Sequence, residues 1–232
     1  MLKVEICVTS PAGIEAAVAA GADRVELCRD LTCGGVTADD ELIQRAMVLC
    51  AQAGVGLRLL VRSISHGFTH SVTEAGDLVQ QLRRLHLLTK NTANLDVGFV
   101  VGALTERGGV DRGFLRQARQ AAGDCPLVFH RAIDAATDYK LALEQVAEAG
   151  FDAVLTTGGN GASADVAGLS KAREVLGSRC KVIGSGGLRA SNIAEVIRKA
   201  RLEEVHFRAP TDSPDETNPH LAKAITRAAR SL

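Results

Sequence analysis

The sequence predicts an α/β fold, a single (β/α)8 barrel of the TIM type, from two observations. β-like runs alternate with helical stretches along the whole chain, and eight such units fit within 232 residues. An open doubly wound sheet is the alternative, but no Gly-x-Gly-x-x-Gly follows the first run. No Pro/Ser-rich linker divides the chain, so one domain over residues 1–232 is expected. The predicted strands are Lys3–Val8, Arg24–Cys28, Gly56–Arg62, Asp96–Gly102, Leu127–His130, Ala153–Thr156, Lys181–Gly184 and Glu204–Phe207.

The stretches between these runs carry helix-start signals. Ser10-Pro11 is typical of an N-cap followed by proline in the first helical turn. Ser71 and Glu74 form a capping-box pattern. Further predicted N-caps are Asp111, Asp138, Ser191 and Asn218. Helices are therefore expected in each of these intervals, as the barrel requires.

Composition excludes several classes of protein. The 27 basic residues balance 27 acidic ones, and no basic block is present, so nucleic-acid binding is not expected. No apolar run reaches the roughly 20 residues of a membrane span. The first residues lack the basic region and apolar run of a signal peptide, which predicts a cytoplasmic protein. The six cysteines are then expected to be free thiols.

A Val-Glu-(Ile/Leu)-Cys pattern occurs twice, at residues 4–7 and 25–28. Side chains alternate along a strand, so Glu5 shares a face with Cys7, and Glu26 shares a face with Cys28. If the two strands are neighbours in the barrel, two carboxylates and two thiols meet inside it. We expect the glutamates to lie one layer below the thiols.

These four side chains have several interpretations. A buried carboxylate needs a partner, and Arg58 or Arg62 on the third strand is the expected one. The glutamates then form either a structural salt-linked layer or an acid–base pair with the thiols. The thiols are either small buried apolar groups or soft-metal ligands. Two cysteines alone suit Cu(I) better than tetrahedral Zn²⁺.

A second candidate group follows the fifth strand, at the barrel end where catalytic residues lie. His130 could exchange protons near neutral pH, and Asp134 could orient it or a substrate hydroxyl. The alternative is a packed histidine bonded to the next loop. His66 and His70 have a spacing suited to a metal but are expected to be solvated.

A third group favours an anionic or phosphorylated ligand. Gly186-Gly187 after the seventh strand can present backbone N–H groups to a phosphate, and the sixth-strand loop can add donors beside it. Tight turns with positive φ are the alternative explanation. The predicted ligand-binding residues are Arg62, Thr156, Gly158, Gly159, Ser185, Gly186, Gly187 and His206.

Taken in order, these motifs resemble the CutC copper-homeostasis family. The resemblance implies a cytoplasmic (β/α)8 barrel, often a homodimer, that handles copper, with Cys7 and Cys28 as copper ligands. The chain departs from the family pattern after strands three, seven and eight, as in Val61–Phe68. The matching stretches are Glu5–Ser10, Gly21–Cys28, Gly34–Thr37, Val61-Arg62, Val128–Asp134, Val154–Gly159, Gly186-Gly187 and Glu204–His206.

Three functions remain open from the sequence. The first is a copper-homeostasis protein that binds Cu(I) through Cys7 and Cys28. The second is an enzyme with isomerase- or lyase-like acid–base chemistry on a small anionic metabolite. A non-catalytic scaffold, with a closed barrel mouth and an exposed apolar patch, is the third. The predicted acid–base residues of the enzyme are Glu5, Glu26, His130 and Asp134.

Overall fold

Eight parallel strands close into a barrel in chain order, as the sequence predicts. The computed structural model describes residues 2–63, 67–90, 92, 94–159 and 161–231. The strands are β1 (Lys3–Val8), β2 (Arg24–Leu27), β3 (Gly56–Leu60), β4 (Val97–Val101), β5 (Leu127–Phe129), β6 (Ala153–Thr156), β7 (Lys181–Gly184) and β8 (Glu204–Phe207).

An α-helix follows each strand along the described chain. Short 3-10 helices at Leu31–Cys33 and Arg131–Ala135 precede α2 and α5. No helix of the described residues is both long and apolar enough to cross a membrane. The helices are α1 (Pro11–Ala19), α2 (Asp40–Ala53), α3 (Val72–Thr89), α4 (Arg112–Ala122), α5 (Tyr139–Glu148), α6 (Val166–Leu176), α7 (Ile193–Ala200) and α8 (Pro219–Ala229).

Most of the predicted helix caps are present. The side chains of Ser10, Asp111, Asp138 and Asn218 each accept a backbone N–H of the following helix. Ser71 and Glu74 form the complete capping box.

The predicted cap at Ser191 is wrong, because α7 begins at Ile193 and Asn192 precedes it. The Asn192 side chain braces the β7–α7 loop instead. Its Oδ1 accepts the Arg189 N–H over 2.7 Å, and its Nδ2 donates to the Gly187 carbonyl over 3.1 Å.

Four strands are shorter than predicted, chiefly at their carboxyl ends. Cys28, Arg62, Gly102 and His130 lie just beyond β2, β3, β4 and β5. The chain leaves the sheet there to make loop contacts, such as the 2.9 Å bond from the Arg62 N–H to Thr37 Oγ1. These residues therefore lie at the carboxyl-terminal mouth of the barrel.

The barrel interior is divided into an apolar and a charged sector. Inward positions on the later strands are aliphatic, as at Val100, Val128, Leu155 and Ile183. Inward positions on β1, β2 and β8 are ionisable, and their side chains are buried. The outward residues form the main core against the helices. The fold thus concentrates buried charge and both predicted thiols on one side of the barrel.

Candidate functional site

Four buried ionisable side chains, Glu5, Arg24, Glu204 and His206, form a charged layer across β1, β2 and β8. Strand register places Arg24 and His206 on either side of Glu5. Arg24 Nε donates to Glu5 Oε2, and Arg24 Nη2 lies 2.9 Å from Glu204 Oε2. His206 Nδ1 lies 2.7 Å from Glu5 Oε1. Lys181 Nζ, on β7, lies 3.4 Å from Glu204 Oε1.

The predicted partners of the glutamates are wrong. Arg58 pairs with Asp96 at 3.1 Å, near the starts of β3 and β4. Arg62 donates to backbone carbonyls of the loop after β2. Arg24 takes their place because it lies in register with Glu5. Its position two residues before Glu26 is the sequence signal that the prediction missed.

The two thiols meet at the carboxyl-terminal end of this sector. Cys7 Sγ and Cys28 Sγ are 3.6 Å apart. Glu26 is in register with Cys7, so it lies beside the thiols and not one layer below them as expected. The staggered register of neighbouring strands in the barrel produces this shift. Cys7, Glu26 and His206 bring their donor atoms within 4.8 Å of one another.

The charged layer controls the protonation of Glu5 and His206. Burial alone would raise the pKa of Glu5, but Arg24 and His206 outweigh it and hold that pKa well below its usual range. Burial likewise opposes the charged form of His206. Glu26, Cys7 and Glu5 together overcome that effect and hold the pKa of His206 well above its ordinary value. The layer therefore favours the charged forms of both Glu5 and His206.

Glu26 and Cys7 retain their protons more strongly than exposed groups do. Burial raises the pKa of Glu26 to about 7, with Glu5 adding to the effect and His206 and Arg24 opposing it. The hydrogen bond with the neighbouring thiol and then burial raise the pKa of Cys7. Oε2 of Glu26 is buried and has no hydrogen-bond partner in the described structure.

A chamber of about 570 Å³ opens above these groups at the mouth of the barrel. This cavity is inconsistent with the closed mouth expected of a scaffold. Predicted site residues that do not line it are Glu5, Thr156, Gly158 and Gly159. Those that line it are Cys7, Glu26, Cys28, Arg62, His130, Asp134, Ser185, Gly186, Gly187 and His206.

Asp134 holds the β6–α6 loop in place. It accepts the Thr156 hydroxyl at 2.5 Å and the N–H groups of Thr157 and Gly159 at 3.1 Å. The Gly158 N–H donates to the Thr156 hydroxyl. Asp134 and Thr156 thus already accept the donors of Thr156, Gly158 and Gly159, and a ligand-binding role for these three residues stays a prediction.

His130 is a packed histidine at the start of the 3-10 helix. Its Nδ1 accepts the Ala132 N–H over 3.2 Å, and its ring centroid lies 5.4 Å from that of Phe68. Burial, with a smaller contribution from Arg62, lowers its pKa to about 3. The expectation that Asp134 orients this ring is not met, because the carboxylate oxygens of Asp134 bond to the β6–α6 loop. The ring is neutral near pH 7, and a catalytic role for it stays a prediction.

The Gly186-Gly187 turn has the positive φ values that the turn interpretation requires, +96° and +60°. A Cβ on Gly186 would stand 2.6 Å from Thr157 Cγ2, so only glycine fits there. The hydroxyl of Ser185 donates to the Thr156 carbonyl over 3.2 Å. The loop thus brings two glycine backbones to the chamber wall, while the serine hydroxyl is already bonded.

Sequence reasoning overlooked the cationic rim of the chamber. Arg131, Arg189 and Arg208 line it together with Arg62. Arg131 pairs with Asp134 at 3.2 Å, whereas the other three form no ion pair with a described carboxylate. Arg131 and Arg208 lie within two residues of the ends of β5 and β8, and Arg189 lies in the loop after β7, and these positions were the available signal. His66 lies outside the described residues.

Comparison with known proteins agrees with the ordered motifs. A CutC protein of Mesorhizobium japonicum is 36% identical over 215 residues, covering 91% of this chain and 79% of that protein. The copper homeostasis protein cutC homolog of Caenorhabditis elegans is 31% identical over 209 residues, covering 90% and 80%. The crystal structure of CutC from Streptococcus agalactiae has the same fold, with a TM-score of 0.78 at 24% identity over 89% of this chain and 98% of that one. The CutC family model matches residues 2–211, and the chain therefore belongs to the CutC family.

Proposed function

We propose that this protein takes part in copper homeostasis by holding Cu(I) between Cys7 and Cys28. The observation that carries the proposal is the 3.6 Å separation of the two sulfur atoms at the floor of an open chamber. Thiolates are the ligands that Cu(I) prefers among protein side chains. The name of the Caenorhabditis elegans relative supports the same role.

The sulfur separation fits a metal bound to both thiolates. With metal–sulfur bonds of about 2.3 Å, as in thiolate sites, sulfurs 3.6 Å apart enclose an S–Cu–S angle of roughly 100°. A small rotation of either side chain would open that angle. Cu(I) replaces the thiol protons as it binds, because only the thiolate is a ligand.

Competition against a colorimetric Cu(I) chelator, under anaerobic reducing conditions, tests this proposal. We expect about one Cu(I) per chain in the wild type and its loss in Cys7→Ser and Cys28→Ser. Cys125→Ser is the matched control, because Cys125 is a free thiol outside the chamber. Unchanged Cu(I) affinity in both chamber variants would refute the proposal.

A second candidate function is binding of a small organic anion in the chamber. The chamber is far larger than a metal ion, and three arginines line it: Arg62, Arg189 and Arg208. None of these three forms an ion pair with a described carboxylate. Guanidinium groups recognise carboxylates and phosphates through paired hydrogen bonds. Acid–base chemistry by Glu26 on such a ligand is the enzymatic form of this candidate.

Calorimetric titration with inorganic phosphate and with citrate tests this second candidate. Arg189→Gln and Arg208→Gln are expected to weaken binding at least tenfold. Arg116→Gln, an exposed arginine on α4, is the control and should bind as the wild type does. Equal binding by all four proteins would exclude the chamber as the anion site.

The cellular location and assembly state also stay proposals. The family resemblance favours a cytoplasmic homodimer. Two of the most exposed large apolar side chains, Val72 and Leu87, lie on α3 and are compatible with a covered face. Light scattering after size-exclusion chromatography gives the molar mass, and a value near 24.3 kDa would contradict the dimer.

A further inference from the structure

Three chemically different donors converge on the floor of the chamber. The Cys7 sulfur, a Glu26 carboxylate oxygen and a His206 ring nitrogen all lie within 4.8 Å of one another. Thiolate, carboxylate and imidazole are the three side-chain ligands that Zn²⁺ uses in proteins. The donors come from β1, β2 and β8, which are neighbours in the barrel, so rigid strands and not loops position them.

The histidine is held as a metal ligand would need to be. Its Nδ1 bonds to Glu5 Oε1 at 2.7 Å, so Nε2 is the ring nitrogen that a metal would bind, displacing the Nε2 proton to solvent. Metal-binding histidines usually donate their second ring N–H to a carboxylate in this way, because the bond fixes tautomer and orientation. Arg24 bonds to Glu5 in turn and holds that carboxylate in place.

Glu26 supplies an independent indication of a bound cation. The residue is 6% exposed, and its Oε2 has no hydrogen-bond partner in the described structure. A buried carboxylate oxygen without a partner is costly in free energy. Asp134, the other chamber carboxylate, accepts several hydrogen bonds from its neighbouring loop. The unpartnered oxygen of Glu26 therefore stands out as a position for a ligand.

We propose that Cys7, Glu26 and His206 bind Zn²⁺ through three protein ligands, with the fourth coordination position open to the chamber. Three ligands and an open position are typical of catalytic zinc sites, whereas structural sites use four protein ligands. The three ligands line the same chamber as the arginine rim, so water or an oxygen of a small organic anion would complete the coordination there. Cys28 lies outside the three-donor group, and this separates the Zn²⁺ site from the Cu(I) pair, with which it shares only Cys7.

Zinc titration of the metal-free, reduced full-length protein against a chromophoric Zn²⁺ indicator tests the proposal. We expect about one Zn²⁺ per chain, and at least tenfold weaker binding in Glu26→Gln and His206→Gln. Cys28→Ser is expected to lose Cu(I) but to bind Zn²⁺ within twofold of the wild type. Failure of the Cu(I) proposal would leave this Zn²⁺ result unchanged, so the two proposals fail separately.

Cobalt substitution gives a second measurement that does not depend on affinity alone. Co²⁺ in the site should show a sulfur-to-cobalt charge-transfer band in the wild type and in Cys28→Ser, and none in Cys7→Ser. Circular dichroism confirms that each variant is folded before titration. Equal Zn²⁺ affinity of wild type, Glu26→Gln and His206→Gln would overturn the proposal, as would a cobalt band that disappears in Cys28→Ser but persists in Glu26→Gln.

Discussion

His206 Nδ1 lies 2.7 Å from Glu5 Oε1, although 201 positions separate the two residues in the chain. The contact joins the first and last strands of the barrel and links the charged layer to the chamber floor. It gives Glu5 two basic neighbours, since Arg24 bonds to the other carboxylate oxygen. The buried charges of this sector are therefore compensated by one another.

Removal of the Glu5 charge should be strongly destabilising. Glu5→Gln leaves the buried guanidinium of Arg24 without one of its two carboxylate partners, and breaking such a pair costs about 3 kcal/mol. Urea denaturation at pH 7.5 measures the loss in the free energy of unfolding. Glu195→Gln, which removes an exposed ion pair with Lys199, is the matched control and should change stability by less than about 0.5 kcal/mol. Similar losses in both variants would contradict the assigned role of the charged layer.

Burial of the His130 ring should make the stability of the folded protein sensitive to acid. Burial lowers its pKa from 6.5 to about 3, so between these values the unfolded chain binds a proton that the folded protein excludes. The stabilisation from the neutral ring is complete above pH 6.5 and is lost as the pH falls toward 3. We expect the wild type to lose roughly 3 kcal/mol relative to His130→Gln between pH 7 and 4.

Denaturant unfolding of both proteins across this pH range checks the expectation. His220→Gln removes an exposed histidine and should follow the wild-type curve. If the free energy of unfolding varied with pH in the same way for the wild type and His130→Gln, the buried ring would not contribute to acid unfolding.

The barrel was predictable because its signal recurs in every unit, so an error of one or two residues at a strand end leaves the topology unchanged. The partners of the buried charges were not, because they depend on register between strands. Aligning the two Glu-x-Cys motifs by sequence sets Glu5 beside Glu26, whereas the barrel stagger sets Glu26 beside Cys7. That shift of two residues brings Arg24 level with Glu5.

The sequence predicted which residues lie at the mouth of the barrel, but not which groups their side chains contact. Strand ends correctly indicated that His130 and Asp134 line the chamber. Whether a donor faces the cavity or its own loop depends on loop conformation, which the sequence does not specify. Asp134 shows the consequence, because backbone N–H groups of Thr157 and Gly159 meet its carboxylate.

Truncation of Asp134 should therefore destabilise the fold. Asp134→Ala leaves two backbone N–H groups without their acceptor and removes the carboxylate from the buried Thr156 hydroxyl, which keeps its bond with the Tyr139 hydroxyl, at a cost of about 3 kcal/mol. Asp138→Ala removes an ordinary helix cap four residues later and should cost about 1 kcal/mol. Urea denaturation of the two variants gives the comparison, and an equal cost would mean that Asp134 is no more than another cap.

Two glycines should respond in opposite directions to the same substitution. A Cβ on Gly102 would lie 2.5 Å from the His130 ring, and the ring is held by its bond from Ala132. Gly102→Ala should therefore overpack the mouth and destabilise the protein by about 2 kcal/mol.

Gly76 lies within α3, and a Cβ there would meet no described atom within 4 Å, so Gly76→Ala should stabilise the helix by about 1 kcal/mol. Thermal and urea unfolding measure the change in stability of both variants. A Gly102→Ala variant as stable as the wild type would mean that the His130 ring can move away from the β4 end. Because that ring lines the chamber, such movement would also change the shape of the space available to a ligand.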